Sequence, residues 1–305
     1  MNNCERPPFR SSFATGPRLF GIAAALCVAT GLLLGTLAAA VADTPQTLRV
    51  GLLPGESAPE IIRQNEALRA YLERELGIPV ELIVGVDYAT TGEALRFGRI
   101  DIAYLGPVTF VLQRRKAGLE PFARPEHEHG PTFKALLIAP KGTVSGPGEL
   151  RGRQVAFGDP ASTSGHWVPR HMLLQEGLVA GADYKPVFLG SHDAVAKAVE
   201  RGNAAAGGLS EPIFKRLLAE GKIDGSRIEV VGVSQDIPEY SWVFREGLDE
   251  PFRQRVQKAF MEVTDPDVLK TTRSVRFIAA GSADYDIVRG WIEEIERNDP
   301  AHASK

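Results

Sequence analysis

Ser162, Thr163 and Ser164 are three consecutive hydroxyl residues set between Gly158-Asp159-Pro160-Ala161 and Gly165-His166-Trp167-Val168-Pro169. They follow the apolar run Gln154-Val155-Ala156-Phe157, which reads as a strand, and precede a helix expected over Gly165 to Glu176. The first N–H groups of a helix have no intrahelical partner and lie at the positive end of its dipole. Hydroxyls added there make a donor cluster suited to a tetrahedral oxyanion. The same residues also read as an ordinary N-cap. A second strand-to-helix junction, Leu189-Gly190-Ser191-His192-Asp193, brings a histidine to another helix start. Alone, His192 reads as a surface or cap residue; opposite a hydroxyl cluster it becomes an anion ligand. Tyr88, in Val86-Asp87-Tyr88-Ala89-Thr90, lies just past a strand in another part of the chain and is placed to close such a site from across a cleft.

Two other chemistries have the right residue types. Ser164, His192 and Asp193 would suit a secreted hydrolase, but the serine is not in a Gly-x-Ser-x-Gly elbow and Asp193 adjoins the histidine it would have to orient. Glu126-His127-Glu128-His129 offers metal-ligating side chains. Two histidines one residue apart in a loop bounded by Pro and Gly read instead as solvated, so no metal or other cofactor is expected.

The beginning of the chain differs from the rest. Met1 to Arg18 carries Arg6, Arg10 and Arg18 against Glu5, and the nearly uncharged run Leu19 to Ala42 ends in Ala40-Val41-Ala42. That pattern predicts a secretory signal over 1–42, cleaved before Asp43 and delivering a periplasmic protein. The alternative is an uncleaved anchor. A lipoprotein attached at Cys27 is disfavoured because Leu26 stands where a small residue is needed. Cys4 and Cys27 both fall in this stretch, so the exported part has no thiol, which excludes cysteine hydrolases, thiol redox chemistry and thiolate metal sites. Losing three Arg and one Glu leaves 32 basic and 37 acidic residues of the original 35 and 38, a net charge of −5. Nothing there neutralises a phosphate backbone, so no nucleic-acid partner is expected.

From Leu48 onward, short apolar runs alternate with helical patterns, which predicts an α/β protein. Strands are expected at Leu48–Leu53, Val80–Val84 and Ile100–Tyr104. Thr90 and Glu93 form a capping box ahead of a helix over Glu93 to Phe97. Phe133–Ala139 reads as a long strand leaving this first unit, with Lys141–Gly152 crossing to a second. There the pattern repeats: Val187–Leu189, Ala204–Leu209 and Ile228–Val233 read as strands. Tyr240–Phe244 reads as a strand that returns. The last stretch reads as helical, with Ile287, Trp291 and Ile295 on one face. Two βαβ units in series, the second inserted in the first, place a ligand between them, beyond the carboxyl ends of strands.

Asp87-Tyr88-Ala89, Ile100-Asp101-Ile102-Ala103-Tyr104-Leu105-Gly106-Pro107, Gly158 to Gly165 and Gly190-Ser191-His192-Asp193 occur in an order and spacing that resemble the phosphonate/phosphite/phosphate-binding proteins of ABC importers, over about Leu48 to Trp291. The resemblance implies a type II periplasmic-binding fold, two βαβ lobes joined by a two-stranded hinge, closing on one small anion without catalysis. It implies lobe 1 over 43–139 and 237–305, with lobe 2 over 140–236. Ser162, Thr163 and Ser164 then look like the ligands of the phosphonate oxygens, His192 like the histidine donor and Tyr88 like the tyrosine of the opposite lobe. Glu211 falls where aminoalkylphosphonate binders have a carboxylate, or is a helix-start carboxylate. Leu105 replaces a second tyrosine of that subgroup, with Tyr104 beside it as the substitute. Tyr240 replaces an Asp that would pair with a ligand ammonium. A buried ammonium without a counter-charge is strongly disfavoured, so phosphite, phosphate or methylphosphonate is expected ahead of an aminophosphonate. The expected partner is an ABC permease in the inner membrane or, with the same fold, a sensor histidine kinase; the chain itself is expected to be a monomer.

Overall fold

Short strands buried on both faces need helices on both sides, and the alternation in the sequence folds here into two such layered sheets. The computed structural model describes residues 44–298; the signal stretch expected over 1–42, with both cysteines, lies outside the described residues. Six strands, β1 (Leu48–Leu52), β2 (Val80–Val84), β3 (Ile102–Leu105), β4 (Glu120–Glu126), β12 (Ser241–Phe244) and β13 (Arg276–Ala279), form one sheet in the order β13-β4-β12-β3-β1-β2. β1 runs parallel to β2 and β3, through crossovers by α1 (Ala58–Leu76) and α2 (Tyr88–Arg96), and the returning β12 is antiparallel to β3 and β4. Five strands, β6 (Ala135–Pro140), β7 (Gln154–Phe157), β8 (Lys185–Phe188), β9 (Ala206–Ser210) and β10 (Ile228–Val233), form the second sheet in the order β10-β6-β9-β7-β8. Between the two, β5 (Thr132–Phe133) and β11 (Ile237–Pro238) pair antiparallel, with Ile237 opposite Phe133, where the chain passes out and back.

Four local readings change. The expected strand Phe133–Ala139 is broken at Lys134, and β6 belongs to the second sheet, so the chain changes sheets at β5; Lys141–Gly152 joins β6 to β7 inside one sheet. The second helix begins earlier than expected because Asp87, a stronger N-cap than Thr90, accepts the Thr90 N–H at 2.6 Å. β13 interrupts the tail that reads as all helical. The buried face of the last helix, α9 (Asp286–Asn298), is Val288, Trp291, Ile292 and Ile295, while Ile287 is 45% exposed. That is the three-and-four spacing of a helix stripe, which a strict spacing of four misses.

Five loops leave the carboxyl ends of strands towards one place: Gly55 after β1, Tyr88 after β2, Gly106 after β3, Asp159 to Ser164 after β7 and His192 after β8. The first three come from one sheet and the last two from the other.

Candidate ligand site

The loop after β7 is held by its own side chains. Asp159 accepts the Ala161 N–H at 2.7 Å and, from across the molecule, the Tyr88 N–H at 3.1 Å. The Trp167 indole N–H donates to the Pro160 carbonyl at 2.9 Å, which makes Trp167 a packing residue under the loop. Ser162 caps the following turn, accepting the Gly165 N–H at 3.1 Å, and Thr163–Trp167 is a single π-helical turn running into α4 (Val168–Gln175). Such widened turns recur at functional sites. All three hydroxyl residues are buried, at 1%, 0% and 0% exposure, but their oxygens have different duties. Thr163 Oγ1 accepts the Val108 N–H of α3 (Pro107–Arg114) at 2.9 Å. Ser164 Oγ has no partner of good hydrogen-bond geometry among the described residues, although it lies close enough to the Tyr240 phenol to interact with it.

His192 opens α5 (His192–Glu200) and is 1% exposed. Its Nδ1 accepts the Ser210 N–H at 3.3 Å, and its own backbone N–H donates to the Gly55 carbonyl at 3.2 Å. Burial pushes the imidazole down to about 4, so near neutral pH it is uncharged. The phenols of Tyr88, Tyr104 and Tyr240 are pushed up by burial and keep their protons. For Tyr88 the nearby Asp159 charge adds to that rise, while hydrogen bonding with Ser162 and Tyr240 opposes it. The cluster is therefore a set of neutral donors.

Three glycines let these groups meet. A Cβ on Gly55 would lie 2.7 Å from the Tyr88 hydroxyl and 3.7 Å from His192 Cδ2. One on Gly165 would lie 2.8 Å from Ser162 Oγ and 3.0 Å from His192 Cε1. One on Gly106 would lie 3.0 Å from the Tyr240 ring and 3.2 Å from Thr163 Oγ1. Gly106 and Gly165 fall within the motifs that carry the resemblance, whereas Gly55 reads in the sequence only as a turn after Pro54.

From Tyr88, Tyr104, His192 and Tyr240 a cavity of about 700 Å³ extends to His127, Glu239 and Arg273. Tyr104 stacks on Tyr240 and Trp242 at ring distances of 5.3 and 4.9 Å, so it forms a wall. Of the expected residues, Tyr88, Tyr104, His192 and Tyr240 line this cavity, whereas Ser162, Thr163 and Ser164 lie behind them and Glu211 does not reach it, although Ser210 and Pro212 on either side do. It sits at the first position of α6 (Glu211–Ala219) and pairs with Lys215 at 2.8 Å, the arrangement that helix dipole and one-turn spacing favour. Glu56, Glu128 and Glu239 line the wall, and of these Glu239, 7% exposed and absent from the expected set, stands one residue before Tyr240. It accepts the Tyr240 N–H at 2.9 Å and lies 3.0 Å from His127 Nε2. His127 Nδ1 is 2.7 Å from the Arg273 carbonyl. Facing an acceptor on each side, the ring must donate twice, and Glu239 correspondingly raises its pKa. Within the expected solvated loop Glu128 and His129 are exposed, while His127 pairs with Glu239 in the cavity wall. Among the described residues no three His, Cys, Asp or Glu side chains group as a metal ion would need, and no helix is long and apolar enough to cross a membrane.

The profile of the periplasmic substrate-binding protein of ABC phosphonate transporters matches residues 50–285. Over 206 residues the chain is 28% identical to the phosphate-import protein PhnD of Mycolicibacterium smegmatis, which covers 63% of this chain and 64% of that protein, just under two-thirds of its length. It is 24% identical over 288 residues to the probable ABC transporter phosphite binding protein PhnD1 of Prochlorococcus marinus, covering 88% of this chain and 95% of that one. Among solved structures, a binding protein component of an ABC phosphonate transporter from Pseudomonas aeruginosa matches with a TM-score of 0.77 at 22% identity, covering 85% of this chain and 89% of that one. Prochlorococcus marinus PhnD1 in complex with methylphosphonate matches with a TM-score of 0.73 at 23% identity, covering 83% and 98%. The fold is the type II periplasmic-binding fold.

Proposed function

The chain belongs to the periplasmic substrate-binding protein family of ABC phosphonate transporters, and on that premise we propose that it captures a small phosphorus oxyanion for delivery to an ABC permease in the inner membrane. The ligand class is phosphite, phosphate or a simple phosphonate. The protein acts as a periplasmic monomer after loss of residues 1–42. The observation that carries the reading is Ser164 Oγ, a buried hydroxyl with no partner of good hydrogen-bond geometry among the described residues, close to the Tyr240 phenol and clustered with the neutral donors Tyr88 and His192. A buried hydroxyl left unpaired costs free energy, and an oxyanion arriving with several acceptor oxygens relieves that cost.

Capture works by closure of two lobes, each built on one sheet. Tyr88 N–H to Asp159, His192 N–H to the Gly55 carbonyl and Val108 N–H to Thr163 all join the two halves, as does the ion pair between Glu56 and Arg216. Bound anion adds contacts from both sides and shifts the population towards the closed form. An aminophosphonate is disfavoured, because the charge of Glu239 is already met by His127 and the Tyr240 N–H. The protein does not hydrolyse its ligand: with Nδ1 taken by the Ser210 N–H, Nε2 of His192 carries the proton and has no free pair to accept one from Ser164.

A thermal-shift panel on protein purified after expression of the full-length chain tests this. Phosphate, phosphite and methylphosphonate are compared with sulfate. A ligand at a hundred times its dissociation constant adds about 2.7 kcal/mol, a rise of several degrees in melting point. A rise with at least one phosphorus anion and a smaller one with sulfate is expected. No rise with any phosphorus anion, or an equal rise with sulfate, overturns the proposal.

A further inference from the structure

The donors of the site come from both lobes but are uncharged, so they exert no long-range pull on one another. The lobe-joining hydrogen bonds through the Tyr88, His192 and Val108 N–H groups act only at contact. A different kind of contact stands at Glu56, on the loop between β1 and α1. Its carboxylate pairs with the guanidinium of Arg216, on α6 of the other lobe. Each side chain is 12% exposed, so salt screens the pair little. Both partners belong to rows of charges. Glu60 and Arg63, in the first turns of α1, pair at 2.6 Å. Arg216 also pairs with Glu220 at 3.0 Å, and Lys222 with Glu220 at 2.7 Å. The rows face each other: Glu60, held low first by Arg63, also feels the Lys222 charge, and Arg63, raised first by Glu60, feels that of Glu220. All three of these cross-lobe pairs are of opposite sign. Attraction between charges reaches about 10 Å at 0.1 M salt, so it acts before the lobes touch. Gly55, the residue before Glu56, accepts the His192 N–H on its carbonyl at 3.2 Å and closely approaches the Tyr88 hydroxyl. Drawing Glu56 onto Arg216 therefore brings the Tyr88 and His192 donors to one place.

Resting on the two-lobe capture reading above, we propose that Glu56 and Arg216 form a latch that holds the lobes closed before the ligand arrives, with Glu60, Arg63, Glu220 and Lys222 as its more exposed layer. Glu56 and Arg216 are positioning residues, acting through Gly55 on His192 and Tyr88. A ligand that meets a binding-competent form already populated does not lose affinity to selecting a minor one. That is how a small anion offering few contacts is held by uncharged groups.

Small-angle scattering and calorimetric titration of protein purified from the full-length chain test this. Without ligand, Glu56→Gln is expected to have a larger radius of gyration than the wild type, and saturating methylphosphonate is expected to return it to the wild-type value, which damage to the fold would not allow. Glu56→Gln and Arg216→Gln are each expected to weaken methylphosphonate binding about tenfold, and the double variant no further, the coupling of a close charge pair. If Arg216→Gln does not fold, Glu56→Gln carries the test alone, because it leaves Arg216 its partner Glu220. An unchanged ligand-free radius in Glu56→Gln, or weakening that adds in the double variant, overturns the latch. If Glu56→Gln opens the ligand-free protein but the wild type binds none of methylphosphonate, phosphite and phosphate, the latch stands and the anion-capture reading falls.

Discussion

The backbone N–H of Ser210, at the end of β9, donates to Nδ1 of His192 at the start of α5 across 3.3 Å. One side of the imidazole is thereby fixed as an acceptor, so the proton resides on Nε2, between the carbons that approach Gly55 and Gly165. A histidine fixed in this way donates to an anion without first becoming charged.

That arrangement has a pH signature. Burial lowers His192 from 6.5 to about 4, so between those values the unfolded chain binds a proton that the folded protein does not. Its contribution to stability is greatest above pH 6.5 and is lost as pH falls through about 4. The full loss is roughly 3 kcal/mol. Urea unfolding of the ligand-free protein and of His192→Gln from pH 8 to pH 4.5 should show the wild type losing stability relative to the variant as pH falls. A difference constant across that range would rule out the neutral buried imidazole.

Ser164 and Thr163 are neighbours with opposite expected behaviour. Ser164→Ala removes a buried hydroxyl whose contact with the Tyr240 phenol lacks good hydrogen-bond geometry, so it should cost about 1.5–3 kcal/mol of anion affinity and change stability little. Thr163→Val strips the acceptor from the Val108 N–H and should cost about 1–3 kcal/mol of stability. Titration calorimetry and denaturant unfolding of both variants read the two effects. Affinity unchanged in Ser164→Ala would remove it from the anion site.

Gly55→Ala should weaken binding, because its Cβ would sit 2.7 Å from the Tyr88 hydroxyl, and a phenol displaced by even a few tenths of an ångström loses its alignment with the ligand. The loss should be about tenfold. In a Tyr88→Phe background the same substitution should cost much less, since the atom it displaces is gone. Additive effects in this double-mutant cycle would show that the two residues do not share a site.

Much of the residue cluster at the candidate site was legible because strand-to-helix turns are written locally. The Ser-Thr-Ser-Gly block and Ser191-His192 occupy helix starts whose capping chemistry a short window of sequence reveals, and the structure brings both to one cluster with Tyr88 and Tyr240. Glu211 was drawn towards the ligand by its place in the chain, yet one turn of helix hands it to Lys215. Glu239 and His127 stand 112 positions apart, and although the Glu126–His129 segment draws notice, nothing in either neighbourhood signals that the two residues pair.

The sequence by itself determined the α/β alternation, the chemistry of the donor turns and the lack of thiols beyond Cys27, because turn, cap and composition rules act over a few residues. Only the tertiary structure decided that β6 crosses into the second sheet, that Tyr88 meets Ser162, and that Glu239 rather than Glu211 faces the cavity. Those outcomes depend on sheet order and on the packing of segments far apart in the chain, where one side chain's position is set by all the others around it.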